Sequence, residues 1–246
     1  MAHALVPLKD LVAATTRLAG LLRPAERRAL AQAMAEDVLG ALQRHASITA
    51  VTLVSDDPGA AMLARQYAAH YWSEAELGCS GLNPVIDAAC RRLVGNGEEL
   101  LLVLHADLPF LSAGDITAVL GKLGNTAGLV IGCDRTGEGT NLLAFSRDAI
   151  PGFRFGRNSF AAHLAWARSA GVPCRVVDRP GIGLDIDEPG DLRELLGDTL
   201  PGAAAHTRRF LAGPGLAARI RLALDSLSAG AGSEENASGT NGESMA

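Results

Sequence analysis

The chain has 246 residues, of which 48% are hydrophobic, 20% are charged and only 4% are aromatic. This length can bury a substantial core in one large domain or two small ones, and the apolar fraction excludes a wholly disordered chain. The formal net charge of −5 argues against a general nucleic-acid binder, which normally carries a basic surface. A single nucleotide stays a candidate substrate, because one small anion needs only a local cationic pocket.

The cysteine pattern and the apolar runs indicate a protein of a reducing compartment. The four cysteines are widely spread and form no CxxC pair, so neither a zinc cluster nor a disulfide scaffold is expected. No segment supplies the roughly 18 apolar residues that cross a bilayer, and no basic region followed by a long apolar run stands at the N-terminus. We therefore expect a cytoplasmic protein with no membrane or nucleic-acid partner.

Short apolar runs alternate with segments of helical spacing along the chain. The run at 100–105 is the clearest strand, because an apolar run without alternation is typical of a central parallel strand. Pro24 suits the first turn of a helix, and Ser112 suits an N-cap. Strands are predicted at 4–8, 51–54, 100–105, 129–132, 141–145 and 174–177, and helices at 24–43, 60–69, 83–94, 113–123, 159–170 and 189–196. This alternation predicts a single α/β domain with a mostly parallel sheet flanked by helices.

The chain is expected to divide into a domain over residues 1–200, a helical extension over 201–227 and a tail. Residues 206–227 predict one or two amphipathic helices, with an interruption at Gly213-Pro214-Gly215. The apolar face at 211–227 would either pack back on the domain or pair two copies in a homodimer. Residues 228–246 offer almost nothing to bury and predict a disordered tail.

Basic residues follow the first predicted strand, where ligands of open α/β sheets commonly bind. Lys9 supplies a point charge, and Arg17 supplies a bidentate fork for phosphate oxygens. A Walker-type GxxxxGK[ST] loop is absent from the sequence. The pattern indicates either a polyphosphate site or a solvated loop that happens to be basic.

Acidic residues follow two later strands. Asp107 comes directly after the buried run at 100–105, where a carboxylate is costly unless it binds a metal or accepts hydrogen bonds. Asp185 and Asp187 alternate with apolar residues, so on a strand they would share one face, and two like charges repel unless a cation lies between them. Together they suggest a Mg²⁺ site, while capping roles for Asp107 and Asp187 remain the structural alternatives.

A glycine-containing segment before the predicted helix at 159–170 resembles an anion pocket. The backbone amides from Gly156 to Ser159 would lie at the helix N-terminus, which favours phosphate, although Ser159 is also a good N-cap. His105 and His163 lie near these clusters, and a lone histidine is more often structural than catalytic. Since no GxSxG motif is present, covalent catalysis is the weaker option.

Seven motifs in fixed order give the chain a family resemblance over about residues 4–196. Together they resemble the guanylyltransferases of deazaflavin coenzyme F420 biosynthesis. The blocks at 105–109 and 155–160 are specific in combination, although each alone would be weak. The motifs are Ala4-Leu5-Val6-Pro7-Leu8-Lys9, Thr16-Arg17-Leu18-Ala19, Gly81-Leu82-Asn83, Leu104-His105-Ala106-Asp107-Leu108-Pro109, Asp134-Arg135 with Gly139-Thr140-Asn141, Phe155-Gly156-Arg157-Asn158-Ser159-Phe160 and Gly183-Leu184-Asp185-Ile186-Asp187.

The resemblance implies a nucleotidyltransferase fold of the glycosyltransferase-A type and a Mg²⁺-dependent reaction. Such enzymes transfer GMP from GTP to 2-phospho-L-lactate, phosphoenolpyruvate or 3-phospho-D-glycerate and release pyrophosphate. Carried over by motif, the metal ligands would be Asp107, Asp185 and Asp187, the phospho-acid contacts Thr140, Gly156 and Ser159, and the GTP contacts Pro7, Leu8, Lys9, Arg17 and Asn83. Lys9, Arg17 and Asp107 would act in catalysis.

The chain departs from the family pattern at Thr15, where a lysine is usual before the Thr/Ser-Arg-Leu sequence. One triphosphate contact is therefore in question, and two alternatives stay open. A cytidylyl- or molybdopterin-type transferase would normally carry a glycine-rich loop where Pro7-Leu8-Lys9 stands. A nucleotide-binding protein that has lost catalysis would be supported best by Thr15.

Overall fold

The computed structural model describes residues 1–8, 11, 15–124, 127–197 and 203–238, and it describes side chains as far as residue 227. The strands are β1 (Ala2–Pro7), β2 (Ile48–Val54), β3 (His70–Trp72), β4 (Leu100–Leu104), β5 (Leu129–Cys133), β6 (Thr140–Ser146) and β7 (Cys174–Val177). The helices are α1 (Pro24–Gln43), α2 (Pro58–Gln66), α3 (Glu74–Leu77), α4 (Leu82–Gly95), α5 (Ala113–Leu123), α6 (Ser159–Ser169), α7 (Pro180–Gly183), α8 (Asp191–Leu196), α9 (Ala205–Leu211) and α10 (Leu216–Ser238). Short 3₁₀ helices lie at Thr16–Gly20 and Arg147–Ala149.

The described strands form one sheet in the order β3-β2-β1-β4-β6-β5-β7. Strands β1 to β5 and β7 share one direction. Strand β6 runs the opposite way and is antiparallel to both of its neighbours, β4 and β5. The carboxyl ends of six strands therefore meet the start of β6 at a single edge. The predicted α/β class with a mostly parallel sheet is confirmed.

Strand β4 shows why the central run in the sequence lacks alternation. Leu102 and Leu104 face one apolar layer, and Leu101 and Val103 face the other. All four side chains are fully buried. A strand covered on both faces must be apolar at every position, as is typical of parallel sheets.

Most predicted elements appear within a few residues of their expected bounds, and three short ones were missed. The helix predicted at 60–69 begins at Pro58 and ends at Gln66, because Ala68 takes a left-handed conformation with φ 46° that turns the chain into β3. Strand β3 and helices α3 and α7 have three or four residues each, which is too short for periodicity to reveal.

The C-terminal extension consists of two helices that pack back on the domain. Ile220 and Leu224 of α10 are buried in one apolar cluster with Leu18 of the 3₁₀ helix, with Leu22 just after that helix, and with Met34 of α1. Helix α10 continues to Ser238, so it is longer than the predicted extension, which ended at residue 227. The expectation of disorder from residue 228 is therefore wrong for 228–238, which are helical; the rest of the predicted tail lies outside the described residues, and the homodimer stays a prediction.

Asp37 of α1 anchors the extension through the N-terminus of α9. Its carboxylate accepts hydrogen bonds from the backbone N–H of His206 (2.8 Å) and Thr207 (2.9 Å) and from Thr207 Oγ1 (2.7 Å). Asp37 is buried, so these donors replace the water that the carboxylate gives up.

Two further expectations concern the environment of the protein. All four cysteines are free thiols, as predicted. Over the described part of the chain, no helix combines the length and the apolar character needed to cross a membrane.

We predict that Asp37→Ala lowers the free energy of unfolding by about 2–3 kcal/mol, because it removes the cap of α9 and leaves buried donors without an acceptor. Urea unfolding checks this value. Gln32→Ala is the control, since Gln32 is exposed on the same helix. Equal stability of the two variants would contradict the anchoring role.

Candidate active site

A cavity of about 270 Å³ opens at the edge where the parallel strands end. Its size lies near the lower end of the range for small-molecule sites. Its wall is formed by the end of β1, the 3₁₀ helix, the N-terminus of α4 and the loops after β4 and α7. The polar and motif residues that line it include Pro7, Leu8, Arg17, Leu82, Asp107 and Asp187.

Two of the three predicted metal ligands lie close together at this edge. Asp107 follows β4, and its carbonyl oxygen accepts a hydrogen bond from the backbone N–H of Ile186 (3.1 Å). Asp185 is partly buried, and its Oδ1 accepts a hydrogen bond from Asn141 Nδ2 (3.1 Å). Burial and the nearby charge of Asp107 raise the pKa of the Asp185 carboxyl to about 6. Two carboxylates this close repel each other when both are charged, and a bound cation would relieve that repulsion.

Helix α7, which precedes Asp185, packs closely against the start of α5 because Gly181 has no side chain. A Cβ on Gly181 of α7 would lie 2.2 Å from Asp115 Oδ2 and 2.7 Å from the Phe110 carbonyl oxygen. Arg179, just before α7, donates from Nε to Asp115 Oδ1 (2.8 Å) and fixes the start of the helix. Residues 184–187 are neither helix nor strand, although the apolar positions are buried and the acidic ones less so, as the alternation indicated.

Arg17 and Asp187 form an ion pair across the mouth of the cavity. Arg17 Nη1 lies 2.8 Å from Asp187 Oδ2 and 3.1 Å from Glu188 Oε1. Both partners are well exposed, at 63% for Arg17 and 43% for Asp187, and such pairs contribute only about 0–1 kcal/mol. Arg17 can therefore exchange this partner for a ligand phosphate at little cost.

Asp191 holds the backbone beneath Asp187. Its Oδ2 accepts hydrogen bonds from the N–H groups of Asp187 (3.0 Å) and Glu188 (2.7 Å), and its Oδ1 pairs with Arg135. Asp191 is 4% exposed. Asp187 does not cap α8, whose N-cap is Gly190; instead, Asp191 at the start of the helix accepts hydrogen bonds from the preceding turn.

The predicted phospho-acid contacts lie together at the start of β6 and α6. The backbone N–H of Thr140 donates to Ser159 Oγ (2.8 Å), and Ser159 N–H donates to the Gly156 carbonyl oxygen (3.2 Å). Thr140 and Ser159 are buried, whereas Gly156 is exposed with φ 130°, a conformation that side chains rarely adopt. Asn158 with φ 54°, rather than Ser159, is the N-cap of α6.

Asn83 has a structural partner that the sequence does not reveal. Its Nδ2 donates to the Phe155 carbonyl oxygen (3.0 Å), and its Oδ1 accepts from Phe155 N–H (2.7 Å). These two hydrogen bonds to the Phe155 backbone fix the loop that leads to Gly156. The contact between Asn83 and guanosine stays a prediction, and Lys9 lies outside the described residues.

Thr15 stands where the family resemblance implies a lysine, and it lines the cavity. Its φ of 58° lies in the left-handed region, which is an outlier for a β-branched residue. The position thus lines the cavity and is strained, and strained backbone clusters at functional sites.

The oxygen donors at this edge fit Mg²⁺ better than a soft metal. Within the described residues, no group of three His, Cys, Asp or Glu side chains is arranged to hold a metal ion. Mg²⁺ commonly takes one or two carboxylates and completes its shell with water and substrate phosphates. The Asp107–Asp185 pair suits that mode, and a site that includes Asp187 stays a prediction.

Sequence reasoning gave no role to three residues that organise the site. Asn141 and Arg135 stand inside the family motifs, so the sequence marked both positions. It did not reveal that they pair with Asp185 and Asp191. Asp191 and Arg135 are 56 residues apart, and no local pattern connects them. His163 was weighed only as a structural or directly catalytic histidine.

Comparison with solved structures finds the same fold in another protein. A protein from Desulfovibrio desulfuricans G20, described as a nucleotide-diphospho-sugar transferase, matches with a TM-score of 0.71. The match covers 90% of this chain and 97% of that chain at 17% sequence identity. At this identity the likeness defines the class of fold alone.

Residues 2–225 match the family described as guanylyl transferase CofC like, and the chain belongs to that family. It is 39% identical over 204 residues to a phosphoenolpyruvate guanylyltransferase of Sphaerobacter thermophilus, covering 82% of this chain and 96% of the relative. It is 30% identical over 208 residues to a 2-phospho-L-lactate guanylyltransferase of Methanothermobacter thermautotrophicus, covering 85% and 88%. The predicted guanylyltransferase family of coenzyme F420 biosynthesis is confirmed, and its match includes the C-terminal helices to residue 225.

His163 generates a pH prediction for stability. Burial, together with the charge of Arg154, lowers the pKa of its imidazole to about 4, against 6.5 for the ordinary group. Between these values the unfolded chain binds a proton that the folded chain does not, so acidification destabilises the fold. We expect the stability advantage of the wild type over His163→Gln to shrink by roughly 2–3 kcal/mol from pH 7 to pH 4.5.

Urea unfolding of both proteins across this range measures the difference. Taking the difference cancels the other titrating groups, since glutamine does not ionise. An advantage that stays constant down to pH 4.5 would contradict the lowered pKa.

Proposed function

We propose that this protein transfers GMP from GTP to phosphoenolpyruvate, with release of pyrophosphate and in the presence of Mg²⁺. The observation that carries the proposal is the cavity in which Arg17, Asp107 and Asp187 meet at the carboxyl edge of the sheet. The phosphoenolpyruvate guanylyltransferase that is 39% identical supports this acceptor over 2-phospho-L-lactate. The free thiols and the use of GTP favour the cytoplasm as its compartment.

The triphosphate is proposed to lie between the end of β1 and the acidic edge. Pro7 and Leu8 supply the wall, and Arg17 turns from Asp187 to the phosphates. Arginine suits this exchange because its planar fork binds phosphate oxygens in a bidentate manner. Lys9 is proposed to add a second cation.

The reaction joins an oxygen of the acceptor phosphate to the α-phosphorus of GTP. The bond from the α-phosphorus to the bridging β-phosphate oxygen breaks, and pyrophosphate leaves with that electron pair. A phosphomonoester has a second pKa of about 6, so the attacking oxygen is already an anion near pH 7. The site therefore needs no strong base, and its work is to hold two repelling anions in line.

Asp107 and Asp185 would hold Mg²⁺, with Asp187 joining once Arg17 has turned away. When bound, the ion neutralises phosphate charge and orients the triphosphate. Asn141 keeps Asp185 directed toward the site by donating to Oδ1, while its second contact, to the Ile182 carbonyl oxygen (2.9 Å), fixes the amide.

Pyrophosphate release with purified protein, GTP and Mg²⁺ tests the proposal against three acceptors in parallel. We expect release with phosphoenolpyruvate and less with 2-phospho-L-lactate or 3-phospho-D-glycerate. Replacing GTP by CTP or ATP tests the alternative substrate classes. Tight GTP binding without release in any reaction would favour a binding protein instead.

We predict that Asp107→Asn lowers kcat/KM at least about 100-fold while the fold stays intact, since the amide cannot balance a cation or the phosphate charge. Asp148→Asn is the matched control, because Asp148 is exposed after the far end of β6. Similar rates for the two variants would refute the role of Asp107.

We predict that Arg17→Ala raises the KM for GTP about tenfold or more, because a charge-assisted contact to phosphate is lost. Arg17→Lys retains the charge but not the fork, so its KM should fall between the two. The stability of Arg17→Ala should change little, since the ion pair that it breaks is exposed. An unchanged KM for GTP would remove Arg17 from the nucleotide site.

A further inference from the structure

His163 lies beside the proposed acceptor site but outside the cavity. It belongs to α6, its exposure is 0%, and the ring of Phe155 packs edge-on against it at a centroid distance of 5.1 Å. Both of its ring nitrogens already have partners within the protein, so the ring has no nitrogen left to offer a substrate. Its effect on the reaction must therefore pass through the groups that it contacts.

The two ring nitrogens of His163 have different partners, and these fix the position of its proton. The backbone N–H of Arg154 donates to Nε2 (3.0 Å), so Nε2 is an acceptor. The proton of the neutral ring then lies on Nδ1, which is 3.0 Å from Thr140 Oγ1. Thr140 Oγ1 accepts this hydrogen bond, because a protonated Nδ1 has no lone pair to offer.

This arrangement determines what the Thr140 hydroxyl can do. With the oxygen accepting from His163, the hydroxyl hydrogen is left to donate elsewhere. Ser159 is in a similar state, since its Oγ accepts from Thr140 N–H (2.8 Å). Phosphate and carboxylate groups offer acceptors only, so two hydroxyls that present hydrogens are complementary to a phospho-acid.

We propose that His163 is a positioning residue for the acceptor: its Nδ1 proton orients the Thr140 hydroxyl as a donor, and its Nε2 holds the loop before Gly156. The proposal rests on the proposed function and on the acceptor contacts that the family resemblance implies, which are Thr140, Gly156 and Ser159. It adds a residue that the family motifs quoted above do not contain.

The charge state of His163 agrees with this role. A protonated ring would lose Nε2 as an acceptor, and it would face the guanidinium of Arg154 from the loop and His105 from the loop after β4. Burial and these two neighbours lower the pKa of His163 to about 4, although a hydrogen bond with the backbone of Ser159 acts in the opposite direction, so the ring stays neutral at physiological pH.

The proton position is tested by ¹⁵N NMR of the histidine rings in the wild-type protein between pH 5.5 and 8. We expect Nδ1 of His163 to be protonated and Nε2 to be unprotonated, with no titration in this range. A proton on Nε2, or a titration midpoint near the ordinary value, would overturn the proposal.

The role is tested by two variants that each keep one contact. His163→Asn places an amide near the position of Nδ1 and can still donate to Thr140, whereas His163→Gln reaches Arg154 N–H but cannot donate to Thr140. We expect His163→Gln to raise the KM for phosphoenolpyruvate about tenfold, and both variants to change the KM for GTP by less than about twofold. His163→Asn should raise the KM for phosphoenolpyruvate by less than about threefold.

His3 offers a matched control, because it is also a buried histidine bound to a threonine, with Nε2 2.7 Å from Thr52 Oγ1 at the start of β1. His3→Gln should leave both KM values unchanged. In a Thr140→Val background, His163→Gln should add no further increase in the KM for phosphoenolpyruvate, since the hydroxyl that it orients is gone.

Equal KM increases for both substrates, or full additivity of the two substitutions, would reduce His163 to a structural role and overturn the proposal. Absence of turnover in the wild type would count against the proposed function instead. The NMR measurement would then still decide where the proton of His163 lies.

Discussion

The reversed direction of β6 is the constraint on which the site depends. In an all-parallel sheet every strand would present its carboxyl end at the ligand edge, and no strand would begin there. Because β6 runs against β4 and β5, its first residues, Thr140 and Asn141, reach the edge directly beside the loop of Asp107. Thr140 then contacts His163 on the proposed acceptor side, and Asn141 contacts Asp185. One strand thus connects the proposed metal side of the site with the proposed acceptor side.

Electrostatic balance explains why the acidic edge tolerates its own charge. Asp185 lies near Asp107, and its raised pKa records the cost of that proximity. The exposed Arg17 offsets part of the charge through Asp187, and Arg135 offsets Asp191 in a more buried place. The exposed pair is weak and exchangeable, whereas the buried one holds the backbone in position. The same residue types therefore form an exchangeable ion pair at the mouth of the cavity and a structural one beneath it.

The sequence allowed the fold to be predicted well wherever local signals are strong. Helix α1 has the predicted bounds because Pro24 marks its start and its length gives periodicity, and β4 was recognised from its unbroken apolar run. The contacts that shape the site are different in kind. Arg17 and Asp187 are 170 residues apart, and Asn83 binds the backbone of Phe155 across 72 residues. Asp107 and Asp185 were identifiable from motif and chemistry, but the orientation of Thr140 by His163 requires the three-dimensional placement of β6 against α6.

The packing of the C-terminal helices also sets an order of events during synthesis. The segment that carries Arg17 rests on Leu18 and Leu22, whose apolar neighbours include Ile220 and Leu224. Arg219 adds hydrogen bonds to the Leu21 carbonyl oxygen (2.8 Å) and to Glu26. When the last sheet strand of a nascent chain has left the ribosome, helix α10 has not yet emerged. The segment that carries Arg17 then still lacks its contacts with Arg219, Ile220 and Leu224. The proposed nucleotide side of the protein therefore gains its last packing partners at the end of synthesis, although its residues are translated first.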